Sequence, residues 1–265
     1  MIERWMITGD THGDFSRFAN YNIGFQKDAN AAVIILGDAG LNWTLDERDS
    51  HVKNLIAKKY AFRIYCVRGN HEARPQDALN MELMYDEDVD GEVYIQKKWP
   101  NIRYFKDFAI YNINGLKTGV IGGAYSVDKW YRLDRGYAWF SNEQLDDSER
   151  EVAKALFKGK DLDLMLTHTC PISWEPTDLF LGFIDQSKVD KTMELFLEEI
   201  KNNAHIKIWC FGHYHSDRIE RPGVEQFFKD SEDLNTLVGR WRTYFTTGNL
   251  DWWLVKSPNF YMGVQ

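Results

Sequence analysis

Five short apolar or β-branched runs each end in a polar cluster rich in Asp, His, Asn and Gly. Arg4–Thr8 is followed by Asp10-Thr11-His12, and Ala31–Leu36 by Gly37-Asp38. Phe62–Val67 is followed by Gly69-Asn70-His71-Glu72, Leu162–Thr167 by His168, and Ile206–Phe211 by Gly212-His213-Tyr214-His215. Helical stretches at Asp14–Tyr21, Leu45–Tyr60, Ser141–Lys158 and Ser187–Asn202 alternate with these runs, which predicts βαβ units and parallel strands. A capping box is expected from Ser141 and Gln144. Glu92–Gln96, Arg103–Ile113 and Lys117–Ile121 read as an antiparallel meander with Asn114-Gly115 at a hairpin tip. Thr243–Thr246 and Trp252–Val255 are further strand candidates. The expected class is α/β, a sandwich with mixed strands.

In such a fold the polar clusters emerge together at the carboxyl edge of a sheet, where open α/β sheets place their ligands. Residues two apart on an extended segment share a face. Asp10 and His12 can therefore grip one ion, as can His213 and His215. Glycine ahead of each cluster (Gly9, Gly37, Gly69, Gly212) is expected to free the backbone for a sharp turn. Five of the seven histidines fall in these clusters; of the others, His51 reads as a solvated helix residue and His205 as a strand-flanking one.

With 265 residues, no repeat and 6 scattered prolines, one continuous domain over 1–265 is expected. The chain has 32 Lys+Arg against 40 Asp+Glu, a net charge of −8, which disfavours long duplex nucleic acid as a partner. Its three cysteines, Cys66, Cys170 and Cys210, have no CxxC spacing and make neither a disulfide framework nor a thiolate zinc site. All three read as core or wall residues. No apolar run reaches membrane-spanning length. The first residues read as a strand, not a leader, and a reducing cytoplasm is the expected compartment.

The ordered set D-x-H, G-D, G-N-H-E, H and G-H-x-H resembles the calcineurin-like metallophosphoesterase superfamily. Gly9–Asp14 and Arg68–Glu72 are similar to its serine/threonine phosphoprotein phosphatase branch. That branch follows its Gly-Asp with an aspartate and an arginine, where this chain has Leu41 and Asn42. The segment Gly122–Asp128, with Arg132 beyond it, resembles members common in bacteria and their phages. The resemblance implies a four-layer α/β/β/α sandwich. It also implies two divalent metal ions, one held by Asp10, His12 and His215, the other by Asn70, His168 and His213, with Asp38 between them. Manganese comes first, with iron, zinc or nickel as alternatives, since the donors are imidazole, carboxylate and amide.

The implied activity is hydrolysis of phosphate mono- or small diesters by a hydroxide bridging the ions, with His71 assisting the leaving group and Asn70 positioning phosphate. Two divalent ions outweigh Asp10, Asp38 and the hydroxide, so an acidic chain can still attract phosphate. Expected substrates are a phosphorylated small molecule, a nucleotide or a phosphoprotein. The alternative is a nuclease for short or single strands; a non-catalytic scaffold is disfavoured by the intact ligand set. Aromatic residues cluster at Trp130, Tyr131, Tyr137, Trp139 and Phe140, and again at Trp174, Phe180 and Phe183. They read equally well as core packing and as a substrate wall. Arg132 and Arg135 are candidate phosphate clamps, against a solvated surface role. No partner for His71 is evident in the sequence.

Overall fold

In the computed structural model, which describes residues 2–248, thirteen strands form two mixed sheets. The first is built from β1 (Arg4–Thr8), β2 (Ala31–Leu36), β3 (Arg63–Val67), β4 (Glu82–Asp86), β5 (Gly91–Ile95), β6 (Ile102–Phe105) and, late in the chain, β13 (Ser231–Asp233). Their order is β13-β1-β2-β3-β6-β5-β4. The second is built from β7 (Phe108–Ile113), β8 (Leu116–Ile121), β9 (Asp161–Thr167), β10 (His205–Phe211), β11 (Arg218–Arg221) and β12 (Val224–Gln226), in the order β11-β12-β10-β9-β8-β7. β1, β2, β3 and β6 run parallel in one sheet, and β8, β9, β10 and β12 in the other.

Period-2 alternation divides the apolar side chains between three cores. Ile7, Ile34, Tyr65, Leu164, Leu166 and Ile208 meet between the sheets. Val33, Ile35, Ile64 and Cys66 turn outward to α2 (Glu47–Lys59), which contributes Ile56. A short α1 (Ile23–Gln26) adds Phe25 to the same layer. On the opposite side, Met165, Trp209 and Phe211 pack on Ala153 and Phe157 of α4 (Asp147–Phe157) and on Met193, Phe196 and Leu197 of α5 (Thr192–Asn203). The layers are thus helix, sheet, sheet, helix. β2 shows why its run is apolar throughout: all six residues are buried because both faces are covered. α3 (Lys129–Asp134) lies in the long β8–α4 connection, and α6 (Leu234–Thr247) sends Leu237 and Trp241 into the inter-sheet core.

Several sequence expectations change. Arg103–Ile113 is not one strand. It breaks at Lys106-Asp107, where β6 ends in one sheet and β7 begins in the other, and the Asp107 carboxylate accepts from buried Arg68 at 2.6 Å. Asp14–Tyr21 forms only a 3-10 turn at Ser16–Asn20. The helix expected at Ser141 starts at Asp147, and its capping box uses Asp146 and Glu149 instead of Ser141 and Gln144. Ser187–Asn202 becomes a 3-10 turn at Gln186–Lys188 followed by α5 from Thr192. Thr243–Thr246 is helical, part of α6: Thr243 and Thr246 donate their hydroxyls to the carbonyls of Gly239 and Arg242, satisfying these β-branched residues within a helix. Trp252–Val255 lies outside the described residues. The Asn114-Gly115 tip forms as expected, with φ of 54° and 76°. Among the described residues, no helix is long and apolar enough to cross a membrane.

Candidate metal centre

The parallel strands of both sheets deliver their polar clusters to one edge. Asp10 follows β1, Asp38 follows β2, and Asn70 and His71 follow β3, while His168 follows β9 and His213 and His215 follow β10. Among the described residues, donor atoms converge in three overlapping groups: Asp10, His12 and His215; His12, Asp38 and His71; and Asp10, Asp38 and His168. Asp38 Oδ2 lies 3.6 Å from His168 Nε2, 3.9 Å from His71 Nδ1 and 4.0 Å from His12 Nδ1. Asp10 Oδ2 lies 3.3 Å from His215 Nε2 and 3.7 Å from His12 Nε2. His213 belongs to none of the three groups. Its ring packs edge-on against His168, with centroids 4.9 Å apart, and its backbone N–H donates to Asp10 Oδ1 at 3.0 Å.

The hydrogen-bond chemistry shows what these atoms lack. His168 Nδ1 sits 2.8 Å from the Leu36 carbonyl, which can only accept, so the proton is on Nδ1. A neutral ring then presents a lone pair at Nε2, yet 2.8 Å away stands Asn70 Oδ1, another acceptor. The amide cannot be turned round, because Asn70 Nδ2 donates at 2.9 Å to Ser126 Oγ, whose own proton goes to Glu143. His12 Nε2 and His215 Nε2 face each other at 2.9 Å, and Asp10 Oδ2 is buried with no hydrogen-bond partner among the described residues. Lone pairs crowded together beside two buried carboxylates are a donor set for cations. Leu36 acts as the outer carbonyl that fixes a ligating imidazole's tautomer. The residues present therefore fit divalent ions.

The backbone is also unusual here. His12, Asp38, His213 and His215 all hold positive φ, at 47°, 47°, 70° and 54°. Left-handed conformations in non-glycine residues carry strain, and here they aim side chains inward. The preceding glycines serve less for turning than for clearance. Gly37 does need its φ of 96°, but Gly69 does not have a positive φ; a Cβ there would collide with Asp38 Oδ1.

Burial disfavours the charged form of Asp38, but His71, His168 and His12 outweigh it and hold its carboxyl below the usual range. Burial, with His168 beside it, pushes His213 well below the ordinary imidazole value. His71 moves the other way: burial opposes its charge, but the neighbouring Asp38 and Asp128 carboxylates raise it. Asp128 Oδ1 lies 3.4 Å from His71 Nε2 and is the partner that sequence reasoning did not identify. It ends the Gly122–Asp128 segment, the only signal that could have indicated it. Glu72, adjacent to His71, points elsewhere, as an extended chain requires. It accepts from the Gly40 and Leu41 amides at 2.6 and 3.3 Å and so holds the loop that carries Asp38. Burial first, and then Asp38, push its carboxyl up to about 7. A second support was also missed: buried Glu143 accepts from Ser126 Oγ at 2.6 Å, and thereby fixes the Asn70 amide.

Arg132 and Arg135 part company. Arg132, on α3, is buried, and among the described residues neither terminal guanidinium nitrogen has a hydrogen-bond partner, although its charge reaches His71 and Asp128. Arg135 is exposed and lies over the Tyr131 ring. Of the aromatic clusters, Trp130, Tyr131, Tyr137 and Phe183 are exposed, Trp139 donates to Glu143, and Trp174 packs edge-on against core Trp209. Only Phe180 among them borders the cavity beside the metal centre. His51 and His205 are exposed, and the three cysteines are buried.

Residues 4–217 match the family model for calcineurin-like phosphoesterases. The chain belongs to this family. It is a hydrolase, and members of the family bind two divalent ions. Among curated proteins none matches the sequence. Among solved structures, it is similar to the phosphopantetheinyl hydrolase of Mycobacterium tuberculosis, at 11% identity and a TM-score of 0.44 over 98% of both chains. A hypothetical protein from Thermus thermophilus has 14% identity and a TM-score of 0.36 over 93% of this chain and 86% of its own. A serine/threonine phosphatase from Saccharomyces cerevisiae has 14% identity and a TM-score of 0.35 over 85% of this chain and 66% of its own.

Proposed function

We propose that this phosphoesterase hydrolyses phosphate monoesters or small diesters at a pair of divalent ions, manganese first among the candidates. Asp10, His12 and His215 would hold one ion, Asn70, His168 and His213 the other, and Asp38 would stand between them. The observation that carries the reading is the facing pair of acceptors, His168 Nε2 and Asn70 Oδ1 at 2.8 Å, with Asp38 alongside. The ions supply Lewis acidity toward phosphoryl oxygens and activate the attacking water. The protein's own part follows from the geometry. The Asp128 carboxylate, with Oδ1 3.4 Å from His71 Nε2, would keep the ring charged, so that Nδ1, 3.9 Å from Asp38, hands its proton to the leaving oxygen. The unpartnered guanidinium of Arg132 is proposed to take a non-bridging phosphate oxygen as substrate enters. Arg135, exposed and stacked on Tyr131, is given no part in holding phosphate. A cytoplasmic location remains part of the proposal.

Asp38→Asn tests the assignment. It should abolish turnover of nitrophenyl phosphate and empty at least one ion position by elemental analysis. A purified variant keeping both ions and near-normal activity would refute the two-ion assignment. Running mono- and diesters in parallel on the wild type decides between the two ester classes.

A further inference from the structure

Of the ligands proposed for the first ion, His215 is the least held by the fold. Its side chain is 49% exposed, against 28% for His12 and 0% for Asp10, and its backbone keeps a φ of 54°. Such a conformation persists only where the surroundings over-determine it. One edge of the ring, at Nε2, faces His12 and Asp10, the side an ion would take. The face of the ring lies on Phe228, with centroids 4.7 Å apart and planes 22° from parallel. Phe228 sits in the crossover from β12 of the second sheet to β13 of the first, beyond the residues that match the family model. A ligating imidazole is usually oriented through a hydrogen bond at its other nitrogen, as the Leu36 carbonyl does for His168. Among the described residues His215 Nδ1 has no such partner, and the stacked Phe228 ring takes its place.

The crossover is itself pinned from two sides. The Asp217 carboxylate, two residues past His215, accepts from the amides of Phe228, Lys229 and Asp230 at 2.7, 3.0 and 3.0 Å. From the other side, Arg17 donates Nη1 to the Phe228 carbonyl and, at 3.0 Å, to Thr8 Oγ1, and Nη2 to the Asp10 carbonyl at 2.7 Å. Its Cζ lies 5.9 Å from the centroid of the Phe228 ring. The two segments have no slack between them, since a Cβ on Gly9 would collide with the Phe227 carbonyl. We infer that Phe228 is a positioning residue for the ion held by Asp10, His12 and His215. Its ring backs the His215 imidazole, and Arg17 ties the carbonyl behind that ring to the backbone of Asp10, so that donors from the two sheets keep one spacing. The inference rests on the two-ion reading above, because it concerns one of those ions.

The test follows free Mn2+ by electron paramagnetic resonance as the metal-free full chain is titrated. Wild type should take up two ions with two constants, and His215→Ala identifies the step that belongs to the first ion. Phe228→Leu should weaken that step about 10- to 100-fold, the usual scale for a residue that orients a ligand, and leave the other within about threefold. Phe228→Tyr keeps the ring and should hold both steps within about threefold of wild type. Arg17→Lys keeps the charge but loses the planar fork that reaches both carbonyls, and should weaken the same step as Phe228→Leu. Equal weakening of both ions by Phe228→Leu, or weakening of neither, overturns the inference. So does a Phe228→Tyr variant that binds no better than Phe228→Leu, or unchanged binding in Arg17→Lys. If wild type takes up fewer than two ions, the two-ion reading fails, and the His215 ring protons, assigned by NMR against His215→Ala, decide in the metal-free chain. Stacking on Phe228 shifts them upfield, and signals unmoved by Phe228→Leu overturn this inference separately.

Discussion

Asp128→Asn removes a charge from the far side of His71 and changes little else. Asp128 Oδ1 is 3.4 Å from His71 Nε2, and both side chains are partly exposed, at 40% and 24%. With screening between bulk water and half its dielectric constant, the lost attraction is about 1–2 kcal/mol, or roughly 5- to 30-fold in rate if His71 must be charged when the leaving oxygen departs. Only the anion disappears, since the amide keeps an oxygen opposite Nε2. The sign of the pH effect follows. Losing the anion lowers the His71 pKa, so the alkaline limb of the kcat/KM profile moves to lower pH, and the deficit widens as pH rises. Ions should remain bound by elemental analysis. The loss should be largest for alkyl phosphates and nearly vanish for nitrophenyl phosphate, whose leaving group needs no proton. A uniform loss across leaving groups, or an unmoved alkaline limb, would remove the Asp128–His71 pair from proton transfer.

Gly69→Ala should yield a folded protein by circular dichroism that binds fewer than two ions and turns over nitrophenyl phosphate at least about 100-fold more slowly, because the new Cβ occupies the place of Asp38 Oδ1; normal metal content would show that Asp38 has room to move. Arg132→Ala should raise KM and the inhibition constant of inorganic phosphate together by roughly 10-fold, while Arg135→Ala leaves both within about twofold. Equal effects from the two arginines would mean that burial of Arg132 does not aim it at phosphate.

The strands bearing the candidate ligands were legible because each apolar run is local and ends at a recognisable polar cluster. β2 could be read from six consecutive apolar residues. What the sequence hid depends on distant partners. β6 and β7 read as one strand because the contacts that mark the crossover between sheets, such as Asp107 with Arg68, come from residues distant in sequence. The threonines of α6 carry strand propensity that their hydrogen bonds to preceding carbonyls override. Arg132 and Arg135 look alike in sequence and separate only once α3 turns one inward. Asp128 is marked only by its place at the end of the Gly122–Asp128 segment, and Glu143 has no local signature: each acts across the fold, on His71 and on Asn70 through Ser126. The left-handed backbone at His12, Asp38, His213 and His215 was equally invisible, since none of these residue types demands it.

The candidate ligands are drawn from both sheets: Asp10, Asp38 and Asn70 from one, His168, His213 and His215 from the other. Direct hydrogen bonds already cross the seam at this edge, from His168 to the Leu36 carbonyl and from the His213 amide to Asp10. Ions bound here would act as a clasp between two halves whose shared core is otherwise a largely apolar contact. Chelation then becomes a mechanical event as well as a chemical one. Backbone amides at the carboxyl ends of β2, β9 and β10 should exchange with solvent sooner than those at the opposite ends of the same strands. Any substitution that lets the sheets slide at the distant α6 end would loosen the grip on metal without touching a ligand.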